Sequence, residues 1–248
     1  MPNQTDKQNT HQHKIHPLVT LNIPDEELKA SANALLEMKV DEIDQGEGGE
    51  NYQGEKKGFI YVSKINLYFS KERTHTKDWN QTHNSLKTEK REGMSLRMPM
   101  LLEFRQYLRF LDENKSNLEY KTILDEITQV RELWRANWID AFFEQREDGF
   151  YILTRNKTKA EKLQDYLMED KKPGINFHEY LYNDTLVTAQ GLPKPNFPQG
   201  DFYYWQPING TVAGFFAVAG GAVLGCCRDP AGRCSSLGVY ACAEGAKA

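Results

Sequence analysis

The spacing of apolar side chains divides the chain into short elements of both kinds. Residues 58–70 (GFIYVSKINLYFS) are rich in aromatic and β-branched side chains and alternate in polarity, which predicts a strand. Ile60 and Val62 fall on one side of its pleat. Ile65, Leu67 and Phe69 continue the alternation after a register change near Ser63 and Lys64, which points to a bulge. Pro99, followed by Leu101, Leu102, Phe104, Tyr107, Leu108 and Leu111, opens an amphipathic helix. A second helix is expected over 118–137, with Ile123, Ile127, Val130 and Trp134 on one stripe. Phe142–Phe143 and 150–153 flank Glu147-Asp148-Gly149 and predict a hairpin.

Weaker patterns fill the rest of the chain. Pro24-Asp25-Glu26-Glu27 opens a helix whose acidic first turn suits the macrodipole, with Leu28, Leu35, Leu36 and Val40 sharing part of a face. The glycine-rich stretch 44–58 is expected to be a loop. Polar residues 71–93, with Trp79 among them, predict a loop and a short helix. Short helices over 159–168 and 177–182 precede a proline-rich connector at 191–198. The end is strand-like throughout, at 202–205, 212–218, 222–227 and 237–242. Helices and strands mix without regular alternation, so the expected class is α+β, not a doubly wound sheet. One domain over 17–248, preceded by a disordered polar tail at 1–16, fits this length.

Composition narrows the function classes. A net charge of −4 argues against nucleic acid or an anionic membrane surface as the partner. The first residues lack the basic-then-apolar pattern of an export signal, so a cytoplasmic or virion-associated protein is expected. Residues 212–227 carry no charge until Arg228, but they are too few for a spanning helix of roughly 20 residues. Gly214, Gly220, Gly221 and Gly225 would also weaken such a helix. No membrane insertion is expected.

Candidate chemistry is sparse. Cys226, Cys227, Cys234 and Cys242 lack the paired-knuckle spacing of zinc ribbons, so metal binding is not expected, and a disulfide stays open. His11, His13 and His16 could bind a transition metal but lie in the polar tail. Gln206-Pro207-Ile208 resembles a calcium-dependent sugar-binding motif with isoleucine where the metal-binding carboxylate belongs. Trp134 and Trp138 are expected as core anchors one helical turn apart, beside Arg131, Glu132 and Arg135 in surface ion pairs. Nucleophile elbows, P-loops and dinucleotide fingerprints are lacking. No cofactor and no catalytic residue is expected.

Residues 211–243 stand apart. They contain no Lys, Glu, Gln, Met or Trp. Burial explains the loss of Lys, Glu and Gln but not the persistence of Arg228, Asp229 and Arg233 or the loss of Met and Trp. A codon AAC or AAT randomised only at its adenines cannot reach those five types. The residues it can reach include all twelve at Gly214, Phe216, Val218, Gly220, Gly221, Val223, Gly225, Cys227, Arg228, Cys234, Ser236 and Tyr240. Strand geometry supplies a physical partition. Phe215, Ala217, Ala222, Leu224 and Cys226 form an inward set, leaving Phe216, Val218, Val223, Gly225 and Cys227 to face out and vary.

This segment resembles the variable region of diversity-generating retroelement target proteins of the archaeal and viral type. Ser236-Leu237-Gly238-Val239-Tyr240-Ala241 resembles the closing strand of the formylglycine-generating-enzyme type of C-type lectin fold, and Arg97-Met98-Pro99-Met100 with Glu103-Phe104 resembles its helix entry. The resemblance spans roughly 57–243. It departs at Tyr240, where the family usually has arginine, so either 240 varies or a core ion pair is missing. It implies a non-catalytic protein binding varied, macromolecular ligands (a protein or a cell surface) through the twelve positions above. Two other readings stay open: a virion tip or fibre component, and a sulfatase-modifying enzyme of the formylglycine-generating class. The family's enzymes use a C-x4-C cysteine pair, and that spacing is absent.

Overall fold

The computed structural model describes residues 56–75, 78–130, 135–163, 167, 169, 171–233 and 236–245. The 1–16 tail with its histidines, the helix from Pro24, most of the 44–58 loop, Arg131, Glu132, Trp134, Cys234 and Ser235 lie outside them.

The described residues form fourteen strands and four helices. The 58–70 segment is two strands, β1 (Phe59–Val62) and β2 (Leu67–Ser70), paired antiparallel with Val62 opposite Leu67. The register change read as a bulge is a tight 3-10 turn at Ser63–Ile65, closed by Asn66 in the left-handed region at φ 51°. β3 (Thr74–His75) leads to α1 (Trp79–Thr88), whose N-cap Asp78 accepts the Gln81 N–H at 2.8 Å. A small hairpin, β4 (Lys90–Arg91) and β5 (Met94–Ser95), precedes α2 (Leu101–Glu113) and α3 (Leu118–Thr128).

The helix expected over 118–137 stops at Thr128, and Ala136–Arg146 is a strand, β6. Trp138 is thus a strand residue, not a partner of Trp134 across a helical turn. Its segment is buried on both faces and so shows no alternation to betray a strand. β7 (Gly149–Thr154) completes the expected hairpin, with Arg146 opposite Gly149. The helix expected over 159–168 is also corrected: Lys159–Lys162 is β8, paired to β7. β9 (Lys171–Ile175) and α4 (Phe177–Tyr182) follow. β10 (Phe202–Trp205) and β11 (Val212–Val218) have the expected bounds, and β12 runs Gly221–Arg228. The last expected strand is split into β13 (Leu237–Val239) and β14 (Cys242–Glu244), which belong to different sheets.

The larger sheet has the order β3-β13-β6-β11-β12-β10-β9, with β7 and β8 continuing from the far half of β6; the smaller is β1-β2-β14. The class is α+β, mostly strands. One face of the larger sheet packs on α2, α3 and α4. Phe215 sits at the centre of that core, its ring centroid 5.6 Å from Phe104, 5.7 Å from Phe202 and 6.5 Å from Phe177. A second apolar cluster, which includes Trp79, Trp138, Val212 and Leu237, covers part of the other face. Among the described residues no helix is long and apolar enough to cross a membrane. The uncharged 212–227 segment forms the antiparallel pair β11–β12.

The helix entry at Arg97 is tied directly to the chain's last strand. Backbone hydrogen bonds run both ways between Arg97 and Cys242, at 2.9 and 2.8 Å. The Arg97 guanidinium meets both oxygens of Glu103 (2.7 and 2.8 Å) and reaches Glu244 at 2.8 Å, while Glu103 also accepts the Met100 N–H at 2.7 Å. Arg155 reaches Glu244 at 3.0 Å. Burial alone would raise the Glu244 carboxyl, but the hydrogen bonds and charges of Arg97 and Arg155 outweigh it and hold the pKa below the ordinary 4.5. A carboxyl depressed in the folded state stabilises fully above its unfolded pKa and loses that contribution as pH falls through the folded value. The stability lead of the wild type over Glu244→Gln should therefore shrink below about pH 4.5. Urea midpoints from pH 7 to 3 measure it, and a constant lead would contradict the pairing.

Candidate functional site

Cross-strand register places Gly214, Phe216, Val223 and Gly225 on the helix-distal face of the larger sheet. Trp205 of β10 is opposite Gly225 of β12, Gly225 is opposite Gly214 of β11, and Gly214 is opposite Trp138 of β6. Neighbouring strands lie about 4.8 Å apart, so the two tryptophan backbones stand roughly 14 Å apart across two glycines. The adjacent row reads Tyr203, Val223, Phe216, Ala136 and Leu237. Two large rings with glycines between them make a trough.

Arg228 lies in that trough because of a bulge. Val212 pairs with Arg228 but Gly214 pairs with Gly225, so Ala213 faces both Cys226 and Cys227. Unbroken alternation would point residue 228 inward with Leu224 and Cys226, burying a guanidinium among apolar side chains. The extra residue turns it outward. A β-carbon at Gly214 would touch Arg228 Cγ at 3.6 Å, and one at Gly225 would meet Phe216 Cε1 at 3.0 Å and Arg228 Cδ at 3.8 Å. The guanidinium sits 5.1 Å from the Phe216 ring centroid, in cation–π range.

At the end of the trough is a cavity of about 300 Å³, lined by Trp138, Cys227, Arg228, Asp229, Arg233 and Leu237 among others. Arg233 is exposed and approaches Asp78 at 3.4 Å. Trp138 is 1% exposed, and its indole N–H has no partner among the described residues. Sequence reasoning missed Trp138 and Arg233 as site residues. The first was assigned to a helix, and the second lies outside the set of twelve. The aromatic Tyr203 and Trp205 of β10 were missed too, since only the strand pairing brings them beside Val223 and Gly225.

The twelve positions fall into distinct groups. Gly214, Phe216, Gly225, Cys227 and Arg228 meet at the trough and cavity. Val218 and Gly220, with Gly221, form the turn between β11 and β12, and Val218 and Gly220 are exposed. Ser236 is half-buried, its carbonyl held by Arg73 and by the Ala136 N–H. Cys234 is among the residues not described. The expectation of a freely open outer face is corrected at several positions. Val223 is 1% exposed, enclosed between Tyr203 and Phe216 on the neighbouring strands. Phe216, Gly214 and Gly225 are buried by one another and by Arg228.

Tyr240 is the clearest correction. The chain passes there from one sheet to the other, and the side chain turns into the core, where Tyr240 donates a hydrogen bond to Glu126 Oε2 at 3.2 Å beside Tyr107. Burial raises its phenol pKa. A buried polar group holding a carboxylate occupies position 240, so it presents nothing to a ligand.

The cysteines offer little nucleophilic chemistry. Cys226 and Cys242 carry free thiols, and burial pushes both well above the usual thiol range, which disfavours the reactive thiolate. Among the described residues no group of His, Cys, Asp and Glu is arranged to hold a metal ion. A larger cavity of about 640 Å³ lies between β1–β2 and α3, lined by Lys57, Lys71, Arg91, Glu72, Glu119 and Glu126 among others. None of the described members of the twelve lines it, and the charges of its described lining balance. Compared with family models, curated proteins and solved structures, the chain matches none of them.

Proposed function

We propose that this chain is a non-catalytic ligand-binding protein with a C-type lectin fold of the formylglycine-generating-enzyme type, diversified at its C-terminal surface by a retroelement. The observation that carries the reading is the convergence of Gly214, Phe216, Gly225, Cys227 and Arg228 on one trough and cavity. These five are scattered over fifteen residues of sequence, and only the strand register and the bulge bring them together. Aromatic rings and arginine, the side chains that most often dominate binding energy, surround the same trough. A β-carbon at 214 would sit in ordinary contact with the Asn137 carbonyl oxygen (3.5 Å) and Arg228 Cγ (3.6 Å), while at 225 it would press on the Phe216 ring edge and at 220 on the far end of Tyr203, so variation there displaces side chains more than backbone. The ligand is macromolecular, a protein or a cell surface.

Sequencing the DNA beside the gene tests this. A reverse transcriptase gene and a near-copy of the 211–243 coding segment, with adenines at the twelve codons, are expected. Absence of both would remove the diversification.

A further inference from the structure

β13 is a short strand with a demanding position. Its three residues pair with β6 at Leu237–Ala136 and Gly238–Asn137, and with β3 at Gly238–His75 and Val239–Thr74. So brief a ladder carries few hydrogen bonds. Yet β13 places Leu237 in the cavity wall and begins directly after Ser236, one of the twelve positions. A residue that changes at the entry to the strand is no dependable side-chain anchor. Main-chain oxygens are, because every residue carries one.

Arg73, the residue before β3, reaches those oxygens. Its guanidinium crosses β13 at Gly238, where an added β-carbon would lie 2.6 Å from Cζ and 2.7 Å from Nε. Beyond that crossing, Nε donates to Asn137 Oδ1 at 2.9 Å. Nη2 donates to the carbonyl oxygen of Ala136 at 2.5 Å and to that of Ser236. The Ser236 carbonyl also accepts the Ala136 N–H at 3.3 Å. Burial lowers the Arg73 pKa to about 10, a desolvation cost that these acceptors offset while the group stays charged at neutral pH. Each acceptor is a main-chain oxygen or the side chain of Asn137, which is 2% exposed and lies outside 211–243.

We propose that Arg73 is a positioning residue of the variable surface. It clamps position 236 to the start of β6 by the carbonyl, so the side chain there can change while Leu237 keeps its place in the cavity wall. The proposal rests on the reading above in taking 236 as a changing position and the cavity as a ligand site. Arginine suits the task because its planar fork spans three acceptors on two strands. A lysine ammonium is a point donor on a flexible stem and does not.

Hydrogen–deuterium exchange on the full chain, read by mass spectrometry, tests this. In Arg73→Lys the amides of Leu237–Val239 should exchange about tenfold faster or more, as loss of charge-assisted hydrogen bonds implies, while those of β11 change less than about twofold. In Ser236→Tyr and Ser236→Asp, both reachable by the adenine-randomised codon, β13 should keep its protection within about twofold. Unchanged exchange of β13 in Arg73→Lys would overturn the clamp. Equal acceleration of β11 and β13 in a folded variant would make Arg73 a general support of the fold and overturn the positioning role. Acceleration of β13 in the Ser236 variants as large as that in Arg73→Lys would show that the side chain, not the carbonyl, is held. Should Arg73→Lys lose its near-ultraviolet circular dichroism and so fail to fold, Asn137→Ala replaces it. That variant removes one acceptor, and about threefold acceleration confined to β13 is expected, with the same results overturning the clamp. The flanking DNA is a separate matter. A β13-confined effect without a reverse transcriptase keeps the clamp and removes only the diversification, and the opposite pair of results removes the clamp alone.

Discussion

Replacing Phe215 with alanine should lower the unfolding free energy by about 3–5 kcal/mol, the usual cost of emptying a large aromatic site in a close-packed core. The ring is 1% exposed and is surrounded by Phe104, Phe177 and Phe202 from three separate elements, none of which can collapse into the space alone. The same change one residue later should cost only about 1–2 kcal/mol, because a site walled by mobile side chains relaxes into the vacancy. Phe216 rests on Gly225 and against the long Arg228 side chain, which can swing into its place. Urea denaturation of both variants, read at constant m-value, makes the comparison. Equal losses would mean that the two faces of β11 are equally committed to the fold, and the division into a fixed and a variable side would fall.

Gly221→Ala is expected to cost about 3 kcal/mol or more, combining a left-handed backbone penalty of about 1–3 kcal/mol with the displacement of a neighbouring strand end. Its φ is +137°, and an added β-carbon would collide with the Asp201 carbonyl oxygen, a backbone atom that cannot rotate away. Gly225→Ala should cost about 1 kcal/mol or less, since only a ring edge and an arginine stem must give way. Thermal unfolding of the pair separates these cases, and a Gly221→Ala protein as stable as Gly225→Ala would refute the account. Codon composition placed 221 among the freely changing positions; its backbone restricts it to glycine.

Why some elements were legible and others not follows from where each signal resides. β10 and β11 carry aromatic and β-branched runs between turn residues, and their bounds could be set from local pattern alone. α2 announced itself through Pro99 and an apolar stripe that the core buries at Leu101, Phe104, Tyr107, Leu108 and Leu111. β6 did not, because a strand buried on both faces has no period of two. Its tryptophan at 138, four residues after another, also mimics a helical turn. β8, Lys-Ala-Glu-Lys, has helix-favouring residues and becomes a strand only through pairing with β7. At the site, the composition of 211–243 singled out the β11–β12 hairpin, and alternation separated Phe215 from Phe216. The burial of Tyr240 and Val223 was invisible because it depends on which elements lie opposite. Trp138 and Arg233 were invisible for the same reason.

The doubled residue at Cys226–Cys227 reaches beyond the strand that contains it. On β11 the trough positions have even numbers, on β12 they are odd as far as 225, and past the bulge the pattern steps back to even at Arg228. The proposed diversification matches this break, since it sets two neighbouring changeable codons at 227 and 228, where the pleat skips a beat. Removing a single residue there would leave the codons downstream in frame for translation and turn the residue at 228 to the inward face of β12. Any change at that codon would then fall in the protein's interior.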